Sequence, residues 1–494
     1  MIAFVSNSKN IRSMTVPVHY LNMSSFLTAH GIENDIIEVK ERSRFIDRPS
    51  EYYDNILINR IKKKPYKYIG LSCYTTDYNT TLKLIKKIKK ALPDVKIIIG
   101  GPHVTLRPKD PFLSKAPVDV VIIGEGEYPL LNILKKKKSL HEIDGVCFKE
   151  KGKIIINKPQ CLAKDLTHIP LPAYDKIDMD FYLRPDNMGI RFLVTSCIHI
   201  FTSLGCPFNC VFCANKGLYK AQNSSKIVRC KSVDQVINEI KFLKKKYGME
   251  AFYIQDDTLT LDKKRVKEIC RRLKKEKLNM LWGAETRVNL INEDLIVKMK
   301  YAGCRQLDFG VEAATQEALD RIKKKITIEE TKKAFALCRK HGIRTGANIM
   351  LNIPGETERD VKEIKGYLKS LKADVYYIAL TVPFIGTEAY DKYVKPRLTL
   401  KEYSLFENPF LYGTIIDKRF RLAKHNLPLE KIIAKMRVSL VLPKTILDFP
   451  LRMFYIKYLW KSKYKLAILY SMAKNFIAVF NLGLEFLFRK KSPQ

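Results

Sequence analysis

The sequence lacks the signatures of several protein classes. No arginine-rich arm, zinc finger or RNP-type aromatic motif occurs in its 494 residues, so nucleic-acid binding is not expected. Residues 1–6 lack the basic stretch that opens a secretory signal, and we expect no cleavable signal. The 11 cysteines are scattered and odd in number. A disulfide framework is therefore not expected, and a reducing cytoplasmic compartment is favoured.

Acidic residues are few compared with basic ones. The chain has 89 Lys and Arg against 51 Asp and Glu, which gives a net charge of +38. Lysine runs occur at residues 62–64, 135–138 and 323–325. Solvated helix faces of a lysine-rich protein are the favoured explanation, and attraction to an anionic surface such as a membrane is the alternative.

The C-terminal region has no clean membrane-spanning run. Its most apolar segment, residues 464–488, is interrupted by charged and amide residues, whereas a spanning helix needs about 20 apolar residues. Two interpretations stay open: a helix packed on the preceding domain, or an in-plane anchor that makes the protein peripheral at the membrane. In the second, the headgroups would meet a basic set: Lys457, Lys461, Lys463, Arg489, Lys490 and Lys491.

Strand and helix patterns alternate over about residues 1–150. Residues 80–92 carry apolar side chains at helical spacing with lysines between them, which predicts a helix. The alternation predicts an α/β domain with a parallel, doubly wound, Rossmann-like (flavodoxin-like) sheet. The predicted strands are residues 2–5, 35–39, 68–72, 96–99 and 118–123. A hairpin is predicted at 145–157, and the proline-rich residues 151–189 are predicted to form a linker.

The alternation restarts over about residues 190–395. Six strand–helix units predict a partial (β/α)6 TIM-type barrel, whose working face lies at the C-terminal ends of its strands. The predicted strands are residues 198–203, 251–255, 281–286, 306–310, 345–351 and 375–382. The predicted helices are residues 233–246, 264–276, 293–302, 316–323, 328–341 and 358–371. Residues 396–494, rich in Lys, Leu, Phe and Tyr, predict a helical, basic and apolar C-terminal region.

Three cysteines, Cys206, Cys210 and Cys213, stand close together after the first strand of this second region. Iron–sulfur clusters are normally held by four thiolates, so three ligands leave one iron of a 4Fe–4S cluster open for catalysis. The alternative is a zinc site of three thiolates and a histidine. No histidine follows nearby, and His199 lies upstream on the predicted strand, so the cluster is favoured.

The motif and the region around it resemble the radical S-adenosylmethionine (SAM) superfamily. The resemblance implies that the open iron binds the amino and carboxylate groups of SAM. It implies that one electron, from an external flavodoxin or ferredoxin, cleaves SAM to a 5′-deoxyadenosyl radical that abstracts hydrogen from a substrate. It also implies SAM-binding roles for residues at successive strand ends: Phe212, Asp256, Asp257, Glu312, Pro354 and Gly355.

Glycines follow three predicted strands of the first domain, at Gly70, Gly100-Gly101 and Gly124. Such strand ends form the crevice in which open α/β sheets bind ligands. Their order resembles the cobalamin-binding domain that precedes some radical SAM barrels. The resemblance implies cobalamin contacts from two groups of residues. Ser72, Thr75 and Thr76 would lie on one side, and Gly100, Gly101, Gly124 and Glu125 would lie near the nucleotide tail and the crevice.

The Asp-x-His-x-x-Gly motif of other cobalamin proteins is absent. His19, His30 and His103 all lack that context, so the resemblance implies a cobalt without a histidine ligand. A degenerate domain that binds no cofactor is the alternative.

Two reactions suit a cobalamin-fused barrel: C-methylation, which is favoured, and oxidation or ring closure of the porphyrin or hopanoid-pathway type. A tRNA methylthiotransferase is less favoured because Cys73 and Cys147 do not form an additional cluster set. A non-enzymatic electron-transfer or sensing module leaves the strand-end motifs unexplained. The basic, apolar tail favours a small-molecule substrate that is lipid-like or membrane-linked.

Overall fold

The protein forms two α/β units that pack against each other. A computed structural model describes residues 1–41, 48–136, 138–185, 190, 195–223, 228–395, 398–407 and 417–441. The apolar segment 464–488 and its basic flanks, for which the sequence leaves two interpretations open, lie outside the described residues.

The N-terminal unit is built on a seven-stranded sheet in the order β2-β1-β3-β4-β5-β6-β7. Strands β1 to β5 pair in parallel, which confirms the Rossmann-like prediction. The strands are β1 Ile2–Val5, β2 Asn34–Ile37, β3 Tyr68–Ser72, β4 Lys96–Gly100, β5 Val120–Ile122, β6 Val146–Glu150 and β7 Lys153–Ile156. The helices are α1 Val18–Ala29, α2 Ser50–Ile61, α3 Tyr78–Ala91, α4 Pro102–Leu106, α5 Asp110–Leu113 and α6 Glu127–Lys135.

The predicted hairpin belongs to this sheet. β6 pairs antiparallel with β5, and β7 pairs antiparallel with β6, so the sheet continues to Ile156. Val146, Cys147 and Phe148 are buried, and this apolar burial explains why β6 joins the core instead of the linker.

The second unit is an open, fully parallel sheet of six strands in the order β15-β14-β13-β12-β11-β8. This confirms the partial barrel. Two short strands, β9 and β10, pair antiparallel beside it. The strands are β8 Cys197–Ile200, β9 Ser203–Leu204, β10 Arg229–Cys230, β11 Ala251–Ile254, β12 Leu281–Thr286, β13 Cys304–Glu312, β14 Arg344–Leu351 and β15 Val375–Leu380.

The helices of the second unit begin at well-formed caps. Thr327 and Thr357 each close a capping box before a helix, in which side chain and backbone satisfy each other's free N–H groups. The helices are α7 Met179–Tyr182, α8 Asn215–Ala221, α9 Val233–Tyr247, α10 Lys263–Lys275, α11 Glu293–Tyr301, α12 Gln316–Arg321, α13 Ile328–Lys340, α14 Glu358–Leu371 and α15 Glu388–Tyr393.

The described part of the C-terminal region is short and packs on both units. It contains 3-10 turns at Leu400–Glu407 and Lys418–Phe420, α16 Leu429–Met436 and a π-helical turn at Arg437–Val441. Phe406 and Phe420 are buried in the same apolar cluster as the N-terminal core. Among the helices that the structure describes, none has both the length and the apolarity needed to cross a bilayer.

The two units share apolar packing and a buried ion pair. Leu21 of α1 lies in the same core cluster as Ile198 of β8. The Arg229 guanidinium of β10 donates to Glu125, which follows β5, with Nη1 2.8 Å from Oε2. Because Arg229 is only 2% exposed, this buried pair links the C-terminal edge of the N-terminal sheet to the short β9–β10 pair of the second unit.

Candidate active site

The loop that carries Cys206, Cys210 and Cys213 leaves β9 and ends at α8. Gly205 has a φ of +105°, the conformation that turns the chain into the loop. The backbone of Val211 fixes the middle of the loop. The Val211 N–H donates to Ile322 O (3.1 Å), and the Val211 carbonyl accepts from Ala389 N (3.0 Å). The three thiols are therefore displayed by a loop whose middle is held between the C-terminal end of α12 and the start of α15.

The thiol set has the chemistry of an iron–sulfur ligand set. Cys210 is buried, and Cys206 and Cys213 are half-buried. Burial, together with smaller contributions from the negative charges of Cys210, Asp257 and Cys206, raises the pKa of the Cys213 thiol to about 11, although the Asn215 backbone N–H opposes the rise. Positive charge is therefore needed to hold three thiolates here, and iron supplies it.

The three thiols do not form a site for one ion. Within the described ranges no group of three His, Cys, Asp or Glu side chains is arranged around a single metal position. In a cubane each thiolate binds a different iron, so its ligands stand farther apart than those of one ion. The fixed loop and its sulfur donors fit a cluster better than the alternative zinc site.

Arg287, just after β12, packs against the cysteine loop. Its Nη1 lies 3.8 Å from Cys210 Sγ, and its guanidinium lies 3.7 Å from the centroid of the Phe208 ring. A hydrogen bond from Nη2 to Lys324 O holds it in place. The sequence marks Arg287 only as a strand-end residue. Its position adds a fixed positive charge beside one thiolate, which tunes the electron affinity of a cluster bound there.

The two acids after β11 have different surroundings. Asp256 is 1% exposed, and its oxygens accept four hydrogen bonds from the backbone and hydroxyls of Thr202 and Ser203 (2.5–3.0 Å). Burial raises the pKa of the Asp256 carboxyl, and these four donors oppose the rise. Asp257 is exposed and accepts from Gly205 N (2.8 Å) and Asn215 Nδ2 (2.9 Å). Asp256 therefore holds the cysteine loop, and Asp257 is the acid open to a ligand.

Glu312, at the end of β13, forms a buried ion pair. Its Oε1 lies 2.7 Å from Lys324 Nζ, which in turn lies 5.9 Å from the centroid of the Phe212 ring. Glu312 also has a φ of +68°, an uncommon conformation for a residue with a side chain. Lys324 therefore contacts both of the predicted SAM-binding residues Glu312 and Phe212. The sequence indicated Lys324 only as part of a lysine run and gave it no role in the site.

Pro354 and Gly355 follow β14 in a loop covered by the C-terminal region. Gly355 N donates to Leu422 O (3.1 Å), and Asn352, whose φ is +64°, accepts from Leu422 N (2.8 Å). Burial raises the pKa of Glu356, in the same loop, to about 7. These contacts order the loop that carries the predicted SAM-binding residues Pro354 and Gly355, and no sequence pattern linked this loop to residue 422.

A cavity of about 590 Å³ lies between the two units, at the C-terminal ends of the N-terminal strands. Five of the predicted cobalamin contacts line it: Ser72, Gly100, Gly101, Gly124 and Glu125. The barrel side contributes Leu204, which directly precedes Gly205 and Cys206, and Gln222 of the segment after α8. The cavity therefore reaches from the glycine-rich crevice to the start of the cysteine loop.

Thr75 and Thr76 are not among the lining residues. The Thr75 hydroxyl lies 3.1 Å from His103 Nδ1 in a buried pair, and Thr76 O accepts from Lys9 Nζ (2.7 Å). Both positions belong to the turn before α3, which bends away after Tyr74. The structure thus separates these two threonines from Ser72, with which the sequence grouped them.

The glycines give the crevice the shape of a cradle. At Gly101, whose φ is +101°, an added Cβ would lie 2.7 Å from Cys73 N, so no side chain fits. At Gly100 the nearest atom to an added Cβ would be Ile122 Cβ at 4.0 Å, so open space adjoins the strand end. Bare backbone beside open space allows close approach of a bulky cofactor, and the crevice fits a cobalamin.

We expect Gly100→Val to abolish cobalamin binding while the fold is retained. A valine side chain at this position enters the cavity and competes with the cofactor. The fold is retained because the added Cβ meets no protein atom closer than 4.0 Å and valine suits a strand end. The measurement is the absorbance of hydroxocobalamin that stays with the protein through gel filtration. Gly366→Ala, on the exposed face of α14, is the control. Full cofactor retention by Gly100→Val would place the binding site elsewhere.

Comparisons with known protein families agree with this geometry. Residues 200–368 match the Radical SAM superfamily, and residues 11–134 match the B12 binding domain. The first range contains the cysteine loop and the strand ends that follow it, and the second contains the glycine-lined crevice. The two domains assign a 4Fe–4S cluster, SAM and cobalamin to this chain.

Individual relatives are similar to this chain over most of its length. An uncharacterized methyltransferase of Pyrococcus horikoshii is 34% identical over 346 residues, 69% of this chain and 72% of the relative. An anaerobic magnesium-protoporphyrin IX monomethyl ester cyclase of Rubrivivax gelatinosus is 28% identical over 64% of this chain and 56% of its own. The fold resembles the radical SAM methyltransferase TsrM of Kitasatospora setae, with a TM-score of 0.65 and 16% identity over 80% of this chain and 75% of TsrM. The chain belongs to the cobalamin-binding radical SAM family of enzymes.

Proposed function

We propose that this enzyme transfers a methyl group to a carbon atom of a small-molecule substrate. The observation that carries the proposal is the cavity between the two units, whose wall includes both Gly100 of the crevice and Leu204 at the root of the cysteine loop. Methylation at an unactivated carbon needs a methyl donor and a hydrogen-abstracting radical at one substrate. A cavity that adjoins both cofactor domains meets this need.

When bound, the cluster supplies one electron for SAM cleavage, and cobalamin supplies a methyl group. Cys206, Cys210 and Cys213 are the proposed cluster ligands. Asp257 is the proposed partner of the SAM ammonium group, because its exposed carboxylate adjoins Gly205 and the cysteine loop. Asp256 is proposed as a positioning residue, since four hydrogen bonds already occupy its oxygens.

The other SAM and cobalamin contacts are proposed from the positions of the residues at the strand ends and in the cavity wall. We propose that Phe212, Pro354 and Gly355 lie along the adenine and that Glu312 contacts SAM from the end of β13. For cobalamin, the proposed contacts are the cavity-lining residues Ser72, Gly100, Gly101, Gly124 and Glu125.

The proposals for the electron donor, for membrane contact and for the substrate class rest on the sequence. A one-electron donor of the flavodoxin or ferredoxin class is proposed, and the net charge of +38 attracts an acidic protein of this kind. The basic, apolar residues 457–491 support a cytoplasmic enzyme that touches the membrane and acts on a lipid-like substrate.

A second candidate function is an oxidative cyclase, favoured by the similarity to the Rubrivivax cyclase over 64% of this chain. The two reactions differ in their SAM products. Methylation consumes one SAM as methyl donor and another as radical source, so S-adenosylhomocysteine and 5′-deoxyadenosine form together. Cyclisation forms 5′-deoxyadenosine alone.

The deciding experiment is anaerobic turnover with cobalamin, dithionite and SAM that carries a deuterated methyl group. The substrate source is a small-molecule and lipid extract, and mass spectrometry follows both nucleosides and the label. We expect both nucleosides and transfer of the label to one extract component. Formation of 5′-deoxyadenosine that depends on the extract, with neither S-adenosylhomocysteine nor a labelled product, would support the cyclase. Absence of methionine release from SAM would contradict both candidates.

A further inference from the structure

The cysteine loop reaches the protein surface at its tip, residues 207–209. Pro207 and Asn209 are exposed, and Phe208 between them is half-buried. Cys210, directly after Asn209, is buried. A partner that touches the tip is therefore separated from this thiol by little more than the backbone of the loop.

One of the lysine runs of the sequence borders this tip. It belongs to residues 322–325, here called the basic turn, which follow α12. The Val211 N–H donates to the carbonyl of the first residue of the turn (3.1 Å). Arg287 connects the turn to the thiols, because its Nη2 donates to Lys324 O and its Nη1 lies 3.8 Å from Cys210 Sγ. A single side chain thus separates the backbone of the basic turn from a cluster ligand.

The surface around the tip keeps a positive charge. Lys323 and Lys325 are exposed. Among the ion pairs of the described residues, none includes Lys325 or Arg287. Lys323 Nζ lies 2.6 Å from Glu388 Oε1, but both side chains are exposed and water screens such a pair. The next two acids along the chain are engaged by other groups: Glu329 pairs with Lys332 (2.8 Å), and Glu330 accepts from Thr327 N (2.8 Å).

We propose that the tip and the basic turn form the docking surface for an acidic electron-transfer protein of the flavodoxin class. The inference rests on the proposed function, which needs a one-electron donor. The step moves one electron: the reduced flavin of the donor loses it, and the cluster held by the three cysteines gains it. Complexes of this kind are small and transient, and charge complementarity governs how fast they form. The exposed lysines attract the donor, and the tip brings its flavin close to the buried thiol.

Calorimetric titration of oxidised flavodoxin into the anaerobic, cluster-loaded protein tests the proposal. The double variant Lys323→Glu/Lys325→Glu is expected to bind flavodoxin about 10-fold more weakly at low salt, because two attractive charges become repulsive. The difference shrinks at high salt, which screens exposed charges. SAM cleavage driven by a low concentration of reduced flavodoxin slows by a similar factor. Cleavage driven by dithionite, a small reductant that needs no docking surface, stays at the wild-type rate.

Lys62→Glu/Lys63→Glu is the matched control, because it changes the net charge by the same amount. Both lysines are exposed and lie between α2 and β3, at the edge of the N-terminal sheet opposite to the strand ends. This control, and Lys323→Arg/Lys325→Arg, are expected to bind flavodoxin as the wild type does.

The proposal is overturned if Lys323→Glu/Lys325→Glu binds flavodoxin with wild-type affinity, or if the Lys62→Glu/Lys63→Glu control loses as much, since net charge would then be the cause. Loss of dithionite-driven cleavage in Lys323→Glu/Lys325→Glu would also overturn it, because the turn would then support the cluster instead of a partner. A wild-type protein that releases no methionine from SAM under dithionite would contradict the proposed function itself.

Discussion

Replacement of Cys206, Cys210 or Cys213 by alanine is expected to reduce SAM cleavage to the rate without protein. Each thiolate would hold one corner of a four-iron cluster, and the motif contains no fourth cysteine to replace a lost one. The loop has little freedom to bring another cysteine to the vacant corner, because hydrogen bonds of the Val211 backbone fix its middle and those of Thr202 and Ser203 to Asp256 fix the segment before it. Loss of one thiol therefore removes the cluster and the electron that SAM cleavage needs.

The measurement combines iron and sulfide content with methionine release from SAM under dithionite. Cys161→Ala is the matched control, because Cys161 is an exposed thiol outside the motif of residues 206–213. It is expected to keep full iron content and full SAM cleavage. Undiminished cleavage by any of the three loop variants would contradict the cluster assignment, and an equal loss in Cys161→Ala would point to general thiol damage.

Strands and helices with strong periodicity could be predicted from the sequence. β1, β3 and α14 have the bounds that the pattern predicts, because buried runs and capping residues mark both of their ends. The hairpin was also predicted, but its membership of the N-terminal sheet depends on the pairing of β6 with β5, which is a long-range contact. A local pattern contains no information about such a partner.

Parts of the site were beyond sequence reasoning for the same reason. Glu125, which lines the cavity, pairs with Arg229, a residue 104 positions away. The cover over Gly355 comes from Leu422 of the C-terminal region. Thr75 and Ser72 are close in sequence, yet a turn sends one toward His103 and the other toward the cavity. Motifs predicted which strand ends matter, and tertiary contacts decide which side chains face a ligand.

Asp256 and Asp257 illustrate this limit and give the second large prediction. The resemblance implies a SAM-binding role for both, because adjacent acids after a strand cannot be told apart by pattern. In the structure only Asp257 is exposed, and Asp256 is enclosed by Thr202 and Ser203. Arg265 reinforces this enclosure by donating to Thr202 O (2.9 Å).

Asp256→Ala is expected to lose the cluster and to melt at a lower temperature. The change leaves two buried backbone N–H groups, of Thr202 and Ser203, without acceptors, and each such group costs about 1–3 kcal/mol. Both residues lie directly before Leu204, Gly205 and Cys206, so the loop that presents the thiols is released. Iron content, the melting temperature and the circular dichroism spectrum measure the effect.

Asp257→Ala serves as the matched variant with the opposite profile. Water replaces its exposed carboxylate at Gly205 N, so iron content and melting temperature stay at the wild-type level. SAM binding weakens by about 10- to 100-fold, the loss expected for one charge-assisted hydrogen bond of about 1.5–3 kcal/mol. Equilibrium dialysis of the anaerobic cluster-loaded protein measures this affinity. If Asp257→Ala lost the cluster, or if Asp256→Ala kept it with only SAM binding impaired, the two acids would have exchanged roles, and the assignment of Asp257 to the ammonium group would be wrong.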